Sequence, residues 1–216
     1  MLFKATIIFI LLSVGLNSGF AQTKAESLPQ AKEYNSIEEA LKNPEAVYRL
    51  NLSNQNIDVS SDVWAKFTKL EYLSLKNDHL KEIPEAIGFL SNLKTLDLSG
   101  NDFLTLPKSF RNLTNLEEIF LNDETRFVLD RSIPVLISLP KLRILHLEND
   151  ELDRLPRRFS KLNQIETLYL NNNFFADIPR QTRGLQNLKI LDIHENNLRL
   201  QEKTVQDPRF GFKVVF

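Results

Sequence analysis

The sequence predicts an α/β solenoid, a right-handed coil with about seven parallel strands on its concave face, short helical turns on its convex face and capped ends. Three observations lead there. The run Leu-Lys-Thr-Leu-Asp-Leu-Ser-Gly-Asn at Leu93 to Asn101 has companions, and its first apolar position falls at Val47, Leu70, Leu93, Leu116, Leu142, Ile165 and Leu188. The spacings between these seven copies are 23, 23, 23, 26, 23 and 23 residues, a period in the range of stacked repeat units. Within each copy the fourth and sixth positions are apolar, as in Leu96 and Leu98, so they share one face of a strand whose side chains alternate with period two. A second apolar set follows each strand: Trp64, Ile87, Phe110, Leu136 and Phe159 recur six residues before the next copy, and Phe67, Leu90, Leu113, Leu139, Leu162 and Leu185 three before it. A spacing of three matches a short helical turn packed on the outside of the coil. One unit cannot bury its own strand face, so only the stack is stable.

Along the chain, Met1 to Ala21 reads as a secretory leader: Lys4 supplies the positive start, Ala5 to Leu16 is apolar but too short to span a bilayer, and Gly19-Phe20-Ala21 offers small residues for cleavage before Gln22. The expected mature chain has 216 − 21 = 195 residues, with no further apolar stretch long enough to cross a membrane. Residues 22–35 are polar and read as a flexible segment. Ser36-Ile37-Glu38-Glu39 has the capping-box spacing, so 36–45 is expected to be a capping helix, running from Ser36 to Asn43 and ended by Pro44. The repeats occupy 46–200. Within them Thr182 breaks the first convex column, which predicts a looser sixth coil. The ninth position reads Gln55, Asp78, Asn101, Glu124, Asp150, Asn173 and Asn196; asparagine can both donate to and accept from buried turn backbone, whereas an ionised acid only accepts, so the coils of Asp78, Glu124 and Asp150 are expected to be less well tied. The fourth unit carries three extra residues. Its stretch Asn122 to Arg131 is charged and reads as a longer loop at the rim beside Phe120. Residues 201–216 are the C-terminal cap, with Phe210 to Phe216 as a β-prone strand or flap over the last coil.

The chain resembles the leucine-rich repeat family, in its class of short units with Leu-Pro after the strand. Ile83-Pro84, Leu106-Pro107, Leu155-Pro156 and Ile178-Pro179 occupy that place, and the likeness covers Ala46 to Leu200. The resemblance implies a recognition scaffold, and it implies little about the ligand, because the family shares a fold and varies what it binds.

A ligand is expected on the concave face, where the third and fifth strand positions point. The third reads Arg49, Tyr72, Thr95, Glu118, Ile144, Thr167, Ile190 and the fifth Asn51, Ser74, Asp97, Phe120, His146, Tyr169, Asp192. The first half is mostly small or polar. In the second half Phe120, His146 and Tyr169 fall in one column with Ile144 and Ile190 beside them, and a clustered apolar patch at solvated positions marks a contact surface. The expected binding set is Phe120, Ile144, His146, Tyr169, Ile190 and Asp192, facing a protein partner; a self-associating envelope protein or a glycan binder are the alternatives.

Composition narrows the rest. With 27 Lys plus Arg against 28 Asp plus Glu the chain lacks the global basic field of non-specific nucleic-acid binding. Without cysteine there are no disulfides, thiolate metal sites or thiol nucleophiles, and six glycines include no phosphate loop. An exported protein without cysteine points to a bacterial envelope, secreted or periplasmic. His146 and Asp192 stand two strand spacings apart, roughly 10 Å, too far for a direct hydrogen bond, and no serine or threonine sits in a nucleophile motif. Asp150, Glu151 and Asp153 form no EF-hand-like loop. No catalysis, cofactor or metal is expected.

Overall fold

The computed structural model describes residues 31–124, 126–199 and 211–216. The expected leader, most of the segment 22–35 and the first part of the C-terminal cap lie outside these residues.

Among the described residues, nine strands form one parallel sheet in chain order: β1 (Glu33–Tyr34), β2 (Arg49–Asn51), β3 (Tyr72–Ser74), β4 (Thr95–Asp97), β5 (Glu118–Phe120), β6 (Ile144–His146), β7 (Thr167–Tyr169), β8 (Ile190–Asp192) and β9 (Lys213–Val215). Seven are the repeat strands and two are caps. The register keeps equivalent positions side by side, so that Leu50, Leu73, Leu96, Ile119, Leu145, Leu168 and Leu191 make one interior column, each fully buried. The sixth-position residues, Leu52 to Ile193, form a second buried column beside it. Each strand is short because its ends turn immediately into the next layer of the coil.

Position eight, just beyond the strand, has a positive φ in every copy: Asn54, Asn77, Gly100, Asp123, Asn149, Asn172 and Glu195. This left-handed backbone explains the run of Asn, Asp and Gly there, since these types reach it at low cost. Glu195 is the one residue of the column without that advantage.

On the convex side, Glu85–Phe89, Lys108–Asn112, Arg157–Lys161 and Arg180–Gly184 are 3-10 turns, each preceded by the proline of the Leu-Pro pair. Proline's fixed φ sets the entrance to the turn and its missing N–H costs nothing there. Neighbouring turns lie close: a Cβ added at Gly88 would stand 2.6 Å from Ser109 Cβ and 2.6 Å from the Ser109 carbonyl oxygen. The N-terminal cap and the first repeat unit use short helices, α1 (Ile37–Ala40) and α2 (Ser61–Trp64), and Trp64 is buried in the core.

Four expectations are corrected. The ordered fold begins earlier than residue 36: Glu33–Tyr34 pairs with β2, and Glu33 accepts a hydrogen bond from Arg49 Nη2 at 2.8 Å. The capping helix is a single turn. Ser36 Oγ accepts from the Glu39 N–H as expected, but Pro44 opens a separate 3-10 turn, Pro44–Ala46, because proline suits a first turn. The sixth coil is not loosened by Thr182, which is fully buried and donates its hydroxyl to the Pro179 carbonyl at 2.7 Å. The fourth unit builds no rim loop. Its insertion becomes α3 (Leu129–Ile137), nine residues with Pro134 inside, between the convex turns of its neighbours. Ser132 Oγ accepts from the Leu106 N–H at 3.0 Å, and Phe127 meets Phe103 edge-to-face at 5.6 Å.

A ladder of ninth-position side chains ties coil to coil. The N–H of Gln55 donates to Asp78 Oδ1 at 2.8 Å, Asp78 to Asn101 Oδ1 at 3.2 Å, Asn101 to Glu124 Oε1 at 2.8 Å, Glu124 to Asp150 Oδ1 at 2.8 Å and Asp150 to Asn173 Oδ1 at 3.0 Å. The ladder therefore runs unbroken through the acids. Their shortfall is in the other atom. Asn101 Nδ2 donates to the carbonyls of Leu75 and Leu98, whereas the second carboxyl oxygens of Asp78, Glu124 and Asp150 are buried without a partner among the described residues. Burial pushes the Glu124 carboxyl up to about 9, against the Asn101 N–H and with Asp150 nearby, and burial pushes Asp150 up to about 8. Asp78 is raised for the same reason. A protonated acid regains a donor that the ionised form lacks.

A carboxyl whose pKa is raised by folding stabilises the fold below its unfolded value, and that contribution is lost as pH rises through the folded one. Stability should therefore fall between about pH 4 and pH 9. Glu124→Gln with Asp150→Asn should flatten that fall in denaturation curves and raise stability at pH 8 by about 1 kcal/mol per site.

Candidate functional site

The concave face carries the third and fifth strand positions in two columns. Register alone brings Phe120 against His146 and His146 against Tyr169. Their rings stack: Phe120 and His146 centroids lie 3.9 Å apart at 16°, and His146 and Tyr169 4.4 Å apart at 11°. The imidazole is thus covered on both faces.

Its edges are held too. His146 Nε2 lies 3.1 Å from Glu118 Oε1 and Nδ1 lies 3.1 Å from Glu148 Oε1. A carboxylate at each nitrogen requires a proton on both, which makes the ring an imidazolium. Burial alone would lower the histidine pKa; the hydrogen bonds and charges of Glu118 and Glu148 outweigh it and hold the pKa above the ordinary value. His146 is only 8% exposed, so it is the centre of the stack and not its surface.

The six expected site residues divide accordingly. Phe120, Tyr169, Ile144 and Ile190 are partly exposed and share the face. His146 and Asp192 are buried. Asp192 Oδ1 lies 2.5 Å from His194 Nδ1 and accepts the His194 N–H at 3.3 Å, so its partner is the residue two places on rather than His146. Phe120 and Tyr169 pack on the two faces of the His146 ring, whose edges are held by the pair of carboxylates. Glu148 was not legible as part of the site from the repeat columns, although its place two residues after His146 puts both on one strand face. Glu118 sits diagonally across on the neighbouring strand.

Beside the face, at the starts of the strands, exposed ion pairs link successive coils: Glu71 with Lys94 at 2.8 Å, Glu117 with Arg143 at 2.8 Å and Glu166 with Lys189 at 2.6 Å. Such pairs contribute about 0.2–1 kcal/mol each and fix no partner. At the other end of the face Arg49 lies over the Tyr72 ring, 4.0 Å from its centroid, and Glu33 neutralises it.

His146→Leu keeps the volume roughly but leaves Glu118 and Glu148 without their counter-charge, which should cost about 3 kcal/mol. Because the histidine pKa is raised, its stabilisation is complete below about pH 6.5 and is lost as pH rises through the folded value. Urea denaturation should therefore show a larger gap between wild type and variant at pH 6 than at pH 9.

Comparison with known proteins places this architecture. Residues 46–140 match the sequence profile of the leucine-rich repeat region. No curated protein sequence matches the chain significantly. A leucine-rich repeat protein of Leptospira interrogans is similar in structure, with 26% identity and a TM-score of 0.60 over 79% of this chain and 49% of that one. The chain thus spans about half the length of that relative. Internalin C2 of Listeria monocytogenes aligns at 20% identity and a TM-score of 0.55, over 80% of this chain and 81% of that one. A chain of the Toll–Spatzle complex, from Drosophila, aligns at 15% identity and a TM-score of 0.64, over 74% of this chain and 22% of that one. The last two share the fold alone. Residues 46–140 thus carry a leucine-rich repeat region, and the seven copies of the repeat stack as one parallel sheet of the leucine-rich repeat fold.

Proposed function

We propose that the chain is an exported, non-catalytic interaction module that binds a protein partner through the C-terminal half of its concave face. The observation that carries this reading is the stack of Phe120, His146 and Tyr169, clamped at its centre by Glu118 and Glu148. Aromatic side chains held rigid before binding lose little entropy when a partner arrives, which is the property of a good contact anchor. Ile144 and Ile190 extend the apolar surface beside them, and the buried His146 and Asp192 support it from below. The partner's contact then falls on Phe120, Tyr169, Ile144 and Ile190.

Export rests on the leader pattern of Met1 to Ala21, and a bacterial source is supported by the absence of cysteine and by the Leptospira relative. Among the described residues no helix is long and apolar enough to cross a membrane. The Toll–Spatzle complex is a precedent for this fold in an assembly.

The test is a crosslinking pull-down with residues 22–216 against a Phe120→Ala, Tyr169→Ala, Ile190→Ala variant that keeps its circular dichroism spectrum. The variant should capture the partner at least about tenfold more weakly, as expected when central aromatic anchors are truncated. Equal capture by both proteins would move the contact off this face.

A further inference from the structure

A second surface lies away from the concave columns. The approach to α3 (residues 126–130) and the segments that follow the strands of the next two coils (152–158 and 175–181) line an open groove of roughly 1220 Å³. Five arginines line it: Arg126, Arg154, Arg157, Arg158 and Arg180. Three aspartates, Asp130, Asp153 and Asp177, stand among them, leaving a surplus of two positive charges on a chain whose formal charge is −1.

Two features set these cations apart. The chain has 15 lysines to 12 arginines, yet no lysine lines the groove. Arginine is the side chain whose planar fork fits a carboxylate with two parallel hydrogen bonds. The groove arginines are also unspent. Lys94, Arg143 and Lys189 at the strand starts each have a carboxylate within 2.8 Å, whereas Arg126, Arg157, Arg158 and Arg180 have no ion-pair partner among the described residues. Arg154 alone approaches one, Asp153 at 3.8 Å, with both side chains largely exposed.

Between the arginines the floor is apolar. Leu155 and Phe175 are buried, Ile178 is half-buried and Val128 is 36% exposed. A uniformly charged polyanion fits this lining poorly, because it would meet three carboxylates and gain nothing from the floor. A polypeptide with spaced acidic residues and apolar ones between them fits both.

We propose that this groove binds an extended acidic peptide segment of a partner protein, its carboxylates held by the arginines and its apolar side chains seated on Ile178 and Val128. The site is separate from the concave stack, and the insertion that forms α3 supplies one of its walls.

The experiment is an array of short peptides that alternate Glu or Asp with Leu, Phe and Pro, each paired with a copy in which Gln or Asn replaces the acids. Hits are followed by fluorescence anisotropy on the full chain. Acidic peptides should bind at least about tenfold more tightly than their amide copies, and raised salt should weaken them. Arg157→Glu with Arg158→Glu and Arg180→Glu should abolish that preference, and these exposed positions leave folding intact, as thermal denaturation would check. Val128→Asp should weaken binding as well. The Phe120→Ala, Tyr169→Ala, Ile190→Ala variant should bind the peptides as wild type does, which keeps the failure of one surface distinct from the failure of the other. The proposal is overturned by an array with no preference for acids, by equal binding to the arginine variant, or by a heparin fragment that outcompetes every peptide at the same arginines.

Discussion

Every coil of this protein depends on one constraint: the turn that leaves each strand buries backbone N–H and carbonyl groups that only a neighbouring coil can satisfy. From Asp78 to Asn173 the ninth-position side chain supplies the link, accepting the N–H of the ninth residue in the coil before it, and in the last coil Asn196 accepts the Phe175 N–H instead. That bond fixes how far each coil advances and therefore the strand register. Register in turn aligns Leu50 with Leu73 and its successors, so the hydrophobic core is a consequence of the same repeat that places the ladder. Burial of those columns is the driving term, and the ladder decides which stack the burial produces. Acids at three rungs keep the accepting half of the link and lack the donating half, and burial raises the pKa of each, so the spine is expected to respond to pH.

The concave face follows from the same geometry. Parallel strands in register bring like positions together without any further device, so a column of aromatic residues becomes a stack merely by recurring. What turns the stack into a rigid feature is the pair of carboxylates at the edges of His146. They fix the charge and the plane of the ring, and Phe120 and Tyr169 are positioned through it. The N-terminal end of the face is built differently, with Arg49 and Glu33 closing on Tyr72, and presents a polar surface.

The repeat strands, their two faces and the convex aromatic columns were legible because each is a periodic pattern, and burial acts on that pattern directly. Aperiodic features were not. Glu33 and Tyr34 form a strand through pairing with β2, which no short polar segment announces. Thr182 looked like a defect in an apolar column, yet its hydroxyl finds the Pro179 carbonyl and fills the space. Three inserted residues in the fourth unit suggested a loop, whereas Leu129 to Ile137 has apolar spacing suited to a helix between two convex turns. In the candidate site, Phe120, His146 and Tyr169 were visible as a column, but the sealing of His146 depends on Glu148, outside the strand positions considered, and on a diagonal contact to Glu118. The arginine groove was invisible for a related reason: its side chains come from three coils, and although Arg157 and Arg180 each follow the proline of the repeat, exposed charges carry no burial pattern that would bring them together.

In the proposed function, the C-terminal half of the concave face meets a protein. The most direct measurement is photocrosslinking in the producing cells, with a benzophenone amino acid placed singly at Ile144, at Ile190 and, as a reference, at the convex Phe89, which is 62% exposed. One discrete crosslinked protein from positions 144 and 190, absent from position 89, is the predicted result. Crosslinks of equal yield from the convex position, or none from the concave pair while the convex one reacts, would rule out a concave contact.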